Sequence, residues 1–369
     1  MKLKILKELL LEGLEIINKI SIKKSVLPIL KNCLIETEKN FLKISATNLE
    51  SGIMWWGLSK IEKEGKICVD AKFFLDVVSS IKEKIIELES ENNILKVNNK
   101  NVFLKIKGNN VDEFPIIPKI SSKEKISVNS KDLLPFLEKI INIPSPSFGR
   151  PEIFGVCFLF ENDNLKVVAT DNIRLAEGTV KLFQKLEKNF SFILPQDSAK
   201  EIVGILKDVK DDINFYFSPN QIFIEILSTD FPHPKIIYTS KLIEGDFPNY
   251  QEIIPKEYKT KVIIKKEEFL SQIKIAKLFA GKTNEIKLKI NSKEGKIEIS
   301  GESLDYGEFK SEIFSRVEGE DISISFNYRF LMDGISSFDN DEIEFCLTDV
   351  DKPAILNSKD YFYILMPIK

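Results

Sequence analysis

Hydrophobic residues along the chain change from a two-residue to a three-to-four-residue period, and this change recurs three times. It opens each copy at residues 1–20, 125–143 and 261–280, where an alternating apolar strand gives way to an amphipathic helix. A second strand and helix follow at residues 66–82, 190–207 and 321–339. Each copy therefore predicts two helices.

Strands complete each copy. One strand ends in a small polar turn at residues 41–50, 164–172 and 296–303, and alternating strands close the copies at 94–106, 221–238 and 342–366. The equivalent residues Leu42, Leu165 and Ile297 lie 123 and 132 residues apart. Solenoid repeats are much shorter, so these periods indicate tandem domains of one fold.

The pattern predicts an α+β protein of three domains, each with two helices packed on antiparallel sheet. Proline-containing segments at residues 112–118 and 245–255 mark the connections between them. We expect three domains, at residues 1–122, 123–246 and 247–369, which are called the first, second and third repeats below. The alternative is three unrelated domains whose periods coincide.

Composition restricts the chemistry. The net charge is −3, from 53 basic and 56 acidic residues, which argues against one large basic face for nucleic acid but leaves room for a local basic surface. The four cysteines, Cys33, Cys68, Cys157 and Cys346, are widely separated, and His233 is the single histidine. We therefore expect buried reduced thiols and neither a zinc site, nor Cys–His catalysis, nor a cofactor.

Charged residues also interrupt the first apolar stretch. Lys7, Glu8 and Glu12 break any signal-peptide core, and no uncharged apolar run is long enough to span a bilayer. The sequence therefore predicts a cytoplasmic protein with no membrane partner.

Seven short motifs, in order and spread over the whole chain, resemble the bacterial DNA polymerase III beta subunit, the sliding clamp. They are residues 25–30 (SVLPIL), 46–50 (ATNLE), 169–176 (ATDNIRLA), 245–250 (GDFPNY), 326–331 (FNYRFL), 347–349 (LTD) and 366–369 (MPIK). The resemblance implies three DNA-clamp domains per subunit and a ring of two subunits, joined head to tail, around duplex DNA. It implies a non-enzymatic processivity factor that contacts DNA without sequence preference. The implied protein partners are the DNA polymerase III alpha subunit, the clamp loader, and other polymerases and repair factors.

The resemblance also implies a hydrophobic pocket that accepts a partner peptide. Its residues by motif are Ile153, Thr170, Asn172, Ile173, Arg174 and Leu175 from the second repeat, with Pro248, Ile253, Asn327, Phe330, Pro353, Ile364, Met366, Pro367 and Ile368 from the third repeat and its linker. The family commonly has Gly-His where this chain has Asn172-Ile173, and Glu252 replaces a frequent basic residue. These departures affect the peptide preference. For Ile153, Leu175 and Phe330 the alternative is ordinary core packing.

Two further surfaces follow from the same resemblance. The DNA-facing candidates are helix and loop lysines, of which the first two match family positions: Lys24, Lys72, Lys139, Lys200, Lys207 and Lys274. The subunit interface is expected at Leu104 and Ile106, which alternation places on one face of an edge strand, with Leu278 as their partner. The alternative for the interface residues is internal packing.

An enzyme and a scaffold are the other classes of function. The segment 281–283 echoes a P-loop, but Ala276 stands where that motif requires its first glycine, and His233 has no recognisable triad partner. A repeat scaffold would share the pocket without encircling DNA, and release from DNA only after a circle is cut distinguishes the two. A groove-reading regulator is disfavoured because neither a recognition motif nor a basic domain is visible.

Overall fold

The computed structural model describes residues 1–20, 27–99, 103–122, 124–145, 149–228 and 231–368. Within these residues each repeat has the two helices predicted from its hydrophobic pattern, which confirms that prediction. The helices are α1 (Lys7–Ile17), α2 (Ala71–Ser80), α3 (Ser130–Ile140), α4 (Gln196–Leu206), α5 (Lys266–Ala276) and α6 (Tyr328–Ser336).

Antiparallel strands make up most of the remaining structure. The first repeat contains β1 (Lys2–Leu6), β2 (Asn32–Glu38), β3 (Phe41–Thr47), β4 (Ser51–Leu58), β5 (Lys60–Lys63), β6 (Lys66–Asp70), β7 (Ile85–Glu91), β8 (Ile94–Asn98) and β9 (Phe103–Lys107). The second contains β10 (Ile126–Asn129), β11 (Gly155–Glu161), β12 (Asn164–Thr170), β13 (Arg174–Lys181), β14 (Phe190–Pro195), β15 (Asp212–Ser218), β16 (Gln221–Leu227) and β17 (Pro234–Lys241). The third contains β18 (Thr260–Lys265), β19 (Glu285–Asn291), β20 (Lys296–Ser303), β21 (Gly307–Phe314), β22 (Arg316–Gly319), β23 (Ile322–Asn327), β24 (Glu342–Leu347), β25 (Ala354–Asn357) and β26 (Tyr361–Leu365). The fold is α+β, as predicted.

The chain divides into two compact units. One comprises Met1–Pro135, Leu182–Lys185 and Leu194–Glu244, and the other Phe136–Lys181, Leu186–Ile193 and Gly245–Lys369. The strands form four sheets, with the orders β5-β1-β7-β8-β9, β10-β15-β16-β17-β4-β3-β2-β6, β14-β11-β12-β13-β26-β25-β24-β18-β22 and β21-β20-β19-β23.

Two of these sheets join strands from different repeats. In the eight-stranded sheet β4 pairs with β17, so that Trp55 lies opposite Ile236. In the nine-stranded sheet β13 pairs with β26, with Leu175 opposite Ile364. Seven consecutive residues of β4, from Ser51 to Gly57, are buried. A strand buried on both faces lies inside a sheet, so the boundary between the first two repeats is not an edge of the fold.

The first helix packs on this central strand. The apolar face of α1 contacts both α2 and β4, and its residues Leu10 and Leu14 are fully buried. Gly13 lies where a Cβ atom would stand 2.6 Å from the ring of Trp55. A glycine is required here because the helix approaches the indole too closely for any side chain.

A side-chain contact also recurs in the three repeats, between the start of the first helix and the end of the second. The ammonium of Lys7 donates to the carbonyls of Ser79 and Ile81. The hydroxyl of Ser130 donates to the Val209 carbonyl at 3.3 Å, and Lys266 donates to the Phe338 carbonyl at 2.7 Å. Each donor bonds to a carbonyl at the end of the second helix or just beyond it. The contact locks the two helices of a repeat together.

All four cysteines are buried and reduced, as the sequence predicted. Burial raises the pKa of the Cys68, Cys157 and Cys346 thiols to about 12, which keeps them protonated and unreactive. Among the described residues no group of histidines, cysteines and carboxylates is arranged to hold a metal ion. No helix within the described ranges is long and apolar enough to cross a membrane.

Candidate partner-peptide site and DNA-facing surface

The turn between β12 and β13 lies at the centre of the predicted peptide site. Asp171 accepts hydrogen bonds from the backbone amides of Ile173 at 3.1 Å and Arg174 at 2.9 Å, and the Thr170 hydroxyl donates to the Arg174 carbonyl at 2.8 Å. Asn172 has a φ of 71°, a left-handed conformation that asparagine adopts more readily than most residues. The side chain of Ile173 is consequently held at the tip of the turn, 47% exposed.

Arg174 is nearly buried, with 10% of its side chain exposed, and it is bound on several sides. Its Nε donates to Asp171 at 3.0 Å, and its Nη1 donates to Asp333 at 2.6 Å and to the Tyr363 hydroxyl at 3.4 Å. The guanidinium lies 4.5 Å from the centre of the Phe330 ring. Burial alone lowers the pKa of Arg174, but Tyr363, Asp333 and Asp171 together raise it above its ordinary value. The arginine thus ties the turn, α6 and β26 to one another.

The last strand and the residues after it run along the same turn. β26 is paired with β13, and beyond the paired region the Met366 amide donates to the Ile173 carbonyl at 2.8 Å. The Ile368 amide then donates to the Ser325 carbonyl at 2.9 Å. These two bonds place Met366 beside the turn and Ile368 beside the strand that leads into α6.

A short 3-10 helix and the linker to the third repeat approach from another side. Arg150 precedes the 3-10 helix Pro151–Ile153 and donates to the Asn172 side chain at 3.1 Å and to Glu152 at 3.0 Å. A Cβ placed on Gly245 would lie 3.9 Å from the Cβ of Glu152, so the linker passes close to this helix.

The linker itself is anchored by a second 3-10 helix, Tyr250–Ile253. The buried hydroxyl of Tyr250 donates to Glu177, whose side chain is also buried. Burial raises the pKa of the Glu177 carboxyl, while the Tyr250 bond lowers it in part. Burial and the neighbouring Glu177 carboxylate also raise the pKa of Tyr250. The pair fixes the 3-10 helix, and Ile253 at its end is 48% exposed.

The residues carried over by motif differ in exposure. Those that are buried are Ile153, Thr170, Leu175, Ile364 and Pro367. Those that are exposed are Asn172, Ile173 and Ile253, and those of intermediate exposure are Arg174, Pro248, Asn327, Phe330, Pro353, Met366 and Ile368. The burial of Ile153 and Leu175 is what the core-packing alternative expects, whereas Phe330 is partly accessible.

Sequence reasoning missed Arg150, although the composition carried a signal for it. Only four of the 53 basic residues are arginines, and two of the four are Arg150 and Arg174. In a chain that otherwise uses lysine, an arginine indicates a position where the planar fork of the guanidinium is needed.

Comparison with known proteins accounts for the repeats. Residues 1–118 match the N-terminal domain of the DNA polymerase III beta subunit, residues 144–249 its central domain, and residues 251–369 its C-terminal domain. The chain belongs to the DNA polymerase III beta subunit family. Proteins of this family are sliding clamps, non-enzymatic processivity factors of DNA replication, and this is the function of the chain.

Individual relatives cover the full length. The beta sliding clamps of Staphylococcus epidermidis and Staphylococcus aureus are each 26% identical over 359 residues, which is 94% of this chain and 93% of theirs. The fold is similar to the crystal structure of the DNA polymerase III beta subunit from Thermotoga maritima, with a TM-score of 0.90, 27% identity and coverage of 100% and 99%. It is also similar to the sliding clamp from Bacillus subtilis, with a TM-score of 0.92, 24% identity and the same coverage.

The lysines predicted to face DNA occupy different environments in this clamp. Lys72, Lys200, Lys207 and Lys274 are exposed on or next to α2, α4 and α5, and Lys72 pairs with Asp76 at 3.0 Å. Lys139, with only 17% of its side chain exposed, pairs with Asp339 at 2.7 Å and lies 5.2 Å from the centre of the Tyr361 ring. Its charge is therefore largely used within the protein. Lys24 lies outside the described residues.

The predicted interface residues lie on two separate elements. Leu104 and Ile106 share one face of β9, the edge strand of its sheet, and Ile106 is buried while Leu104 is half-buried. A cavity of about 530 Å³ opens beside Leu104, lined also by the apolar side chains of Phe73, Val77 and Ile81. Leu278 is 64% exposed in the short 3-10 helix Lys277–Phe279.

Proposed function

We propose that two copies of this clamp join head to tail in a ring around duplex DNA and tether replication proteins through the candidate peptide site. The observation that carries the peptide site is the convergence of separate segments of one unit on the turn at residues 170–175. These segments are the 3-10 helix at 151–153, the linker, α6 and the end of the chain. The proposed partners are the DNA polymerase III alpha subunit, the clamp loader, and other polymerases and repair factors.

The chemistry of the site fits a short linear peptide. Ile173, Ile253 and Met366 offer apolar contact at the surface, and a flexible methionine adapts to different side chains. Arg174 acts as a positioning residue, because four of its five N–H donors are directed at Asp171, Asp333, Tyr363 and the Asn142 carbonyl. A peptide carbonyl is then left to the Nδ2 of Asn327, since its Oδ1 accepts a hydrogen bond from the Arg329 amide at 3.0 Å and caps α6.

For the ring, we propose that β9 of one copy meets the third repeat of the other. Both β9 and β21 are edge strands in the described sheets, and an edge strand without a partner invites pairing with another chain. The cavity beside Leu104 is lined by four apolar side chains as well as by Asp76, Ser80, Lys82 and Glu83, and its apolar part suits a side chain such as Leu278 of the second copy. A head-to-tail contact of this kind forms a closed ring of two copies if one copy is rotated by half a turn relative to the other.

For DNA, we propose a weak and sequence-independent contact through exposed lysines. A net charge of −3 is unsuited to tight phosphate binding, whereas a closed ring needs little affinity to remain on DNA. The proposed domain boundaries remain 1–122, 123–246 and 247–369, supported by the presence of two helices in each range. We place the protein in the cytoplasm because replicating bacterial DNA lies there.

A topological assay tests the ring. Subunits are mixed at high dilution with a closed circular plasmid and concentrated, and the protein that co-elutes with the plasmid is measured before and after a single restriction cut. Retention on the circle and release after cutting are expected. Equal retention on both would contradict encirclement and favour a scaffold that does not surround DNA.

Charge reversal tests the DNA surface in the same assay. Replacing Lys72, Lys200, Lys207 and Lys274 by glutamate should reduce retention at low salt. A matched control replaces four exposed lysines outside the helices, Lys60, Lys185, Lys188 and Lys293. Equal behaviour of the two quadruple variants would refute the assignment of the helix lysines to the DNA side.

A further inference from the structure

Glu252, next to Ile253 of the candidate peptide site, carries a charge that remains available to a ligand. Arg174 is bound to Asp171 and Asp333, and Arg150 is bound to Glu152 and to the side chain of Asn172. The exposed side chain of Glu252 differs from both. Its carboxylate accepts a hydrogen bond from the Asn249 side chain at 2.6 Å, and no lysine or arginine of the described chain lies within 4.0 Å of it.

The backbone around Glu252 is well anchored. Glu252 lies in the 3-10 helix Tyr250–Ile253, whose first residue is buried and bonded to buried Glu177. The ring of Phe247 packs edge-on against Tyr250, with the ring centres 6.2 Å apart. The bond from Asn249 occupies Oε1 and leaves Oε2 open. The carboxylate is thus held next to Ile253, a partly exposed apolar residue of the proposed site.

The charge along this side of the site has a single sign. Between residues 245 and 253 the linker carries Asp246 and Glu252 and no basic residue, and both carboxylates are exposed. A cationic side chain of a bound peptide is attracted here and an anionic one is repelled, and such differences of affinity produce specificity. The two arginines of the site, Arg150 and Arg174, are each already paired with carboxylates of the same unit.

We propose that Glu252 selects partner peptides that carry lysine or arginine beside their apolar anchor. This inference rests on the proposed peptide site and specifies the chemistry of its ligand. Glu252 acts as a specificity-determining residue: the apolar contacts supply most of the affinity, and the carboxylate discriminates between peptides of opposite charge.

Fluorescence anisotropy with synthetic peptides tests the proposal on the full-length protein. The probes are fluorescein-labelled decapeptides with a fixed apolar anchor of two leucines and a phenylalanine, in which each other position in turn is lysine, alanine or glutamate. At low ionic strength, peptides with lysine at one or two of these positions should bind about 3- to 10-fold more tightly than peptides with glutamate there. This difference in affinity is the size expected when one member of an exposed charge pair changes sign. At 0.5 M salt this preference should largely disappear, since the Debye length is then only about 4 Å.

Two variants identify the residue responsible. Glu252→Lys should reverse the preference, so that glutamate peptides bind more tightly than lysine peptides, whereas Glu252→Gln should abolish it. Glu187→Lys, an equal charge change on an exposed loop residue of the same unit, should leave the preference intact. If peptides bind but Glu252→Lys does not alter the lysine preference, the inference is wrong and the peptide site stands. If no anchored peptide binds the wild type, the peptide site itself is wrong.

Discussion

Arg174 has two carboxylate partners, and removing its side chain alone and together with each partner should show which ion pair stabilises the turn. Only 6% of the Asp171 side chain is exposed, so this ion pair lies in a medium of low polarity. Breaking a buried pair by removing one partner costs about 3–5 kcal/mol, because the other charge is left buried without compensation. Asp171 keeps its two bonds from backbone amides, which places Arg174→Ala near the lower end, at about 3 kcal/mol.

The Asp333 contact is shorter, at 2.6 Å, but 61% of that side chain is exposed. Water screens an exposed pair, and such pairs contribute about 0.2–1 kcal/mol. In double-mutant cycles with Arg174→Ala, the coupling energy should therefore be about 2–3 kcal/mol for Asp171→Ala and below about 1 kcal/mol for Asp333→Ala. Burial, and not distance, decides the order.

The assay is hydrogen exchange of the Met366 amide, which is bonded to the Ile173 carbonyl and so reports opening of this turn. Exchange is compared among the wild type, the three single variants and the two double variants. Arg174→Lys serves as a control that keeps the charge but loses the planar fork, and it should recover only part of the protection. A coupling for Asp333 equal to or larger than that for Asp171 would refute the reasoning.

Three other predictions concern the rest of the molecule. Leu104→Asp places a charge beside the apolar cavity and should shift sedimentation from dimer to monomer, and a dimer that survives it would rule out this interface. Gly13→Ala should lower the melting temperature: a Cβ atom 2.6 Å from the Trp55 ring places the overpacking cost at the upper end, about 3 kcal/mol, while the helix preference of alanine returns only about 1 kcal/mol. An unchanged or higher melting temperature would contradict this. Burial raises the pKa of Glu177 above its unfolded value of 4.5, so the folded state holds the proton more tightly than the unfolded state. The wild type therefore loses stability as the pH rises from about 4.5 through the higher pKa of the folded state. Glu177→Gln has no carboxyl to titrate, so its stability relative to the wild type should increase as the pH is raised above about 4.5. A difference between the unfolding midpoints of the two proteins that stays constant from pH 4 to 7 would count against this prediction.

The hydrophobic pattern was sufficient to predict the local structure of the repeats. The strand–helix openings at residues 1–20, 125–143 and 261–280 correspond to β1 with α1, β10 with α3, and β18 with α5. This succeeds because one strongly amphipathic helix and one alternating strand are each specified by neighbouring residues. The burial of β1 follows from this alternation, whereas β4 is buried along almost its whole length.

The pattern did not reveal which strands pair between repeats. Nothing in the sequence of β4 specifies β17 as its neighbour. The backbone hydrogen bonds between paired strands are the same for any two strands, so they do not identify the partner. The sequence likewise did not predict the ion pair and hydrogen bond that Arg174 makes with Asp333 and Tyr363. Both partners are distant from Arg174 in sequence, and the folding of the sheet and α6 brings them into contact. The resemblance suggested which residues form the candidate peptide site, but only the contacts in the structure show which of their side chains are already bonded to one another.

The pairing of β4 with β17 has a consequence for synthesis of the chain. Trp55 and its partner Ile236 are separated by about 180 residues. At a translation rate of about 5–20 residues per second, the earlier strand waits roughly 10–40 seconds for its neighbour to leave the ribosome. During that time an apolar strand has an open edge, which is the kind of surface that nascent-chain chaperones protect. A gene fragment that encodes the first repeat alone should consequently yield insoluble protein, even though that repeat contains both of its helices.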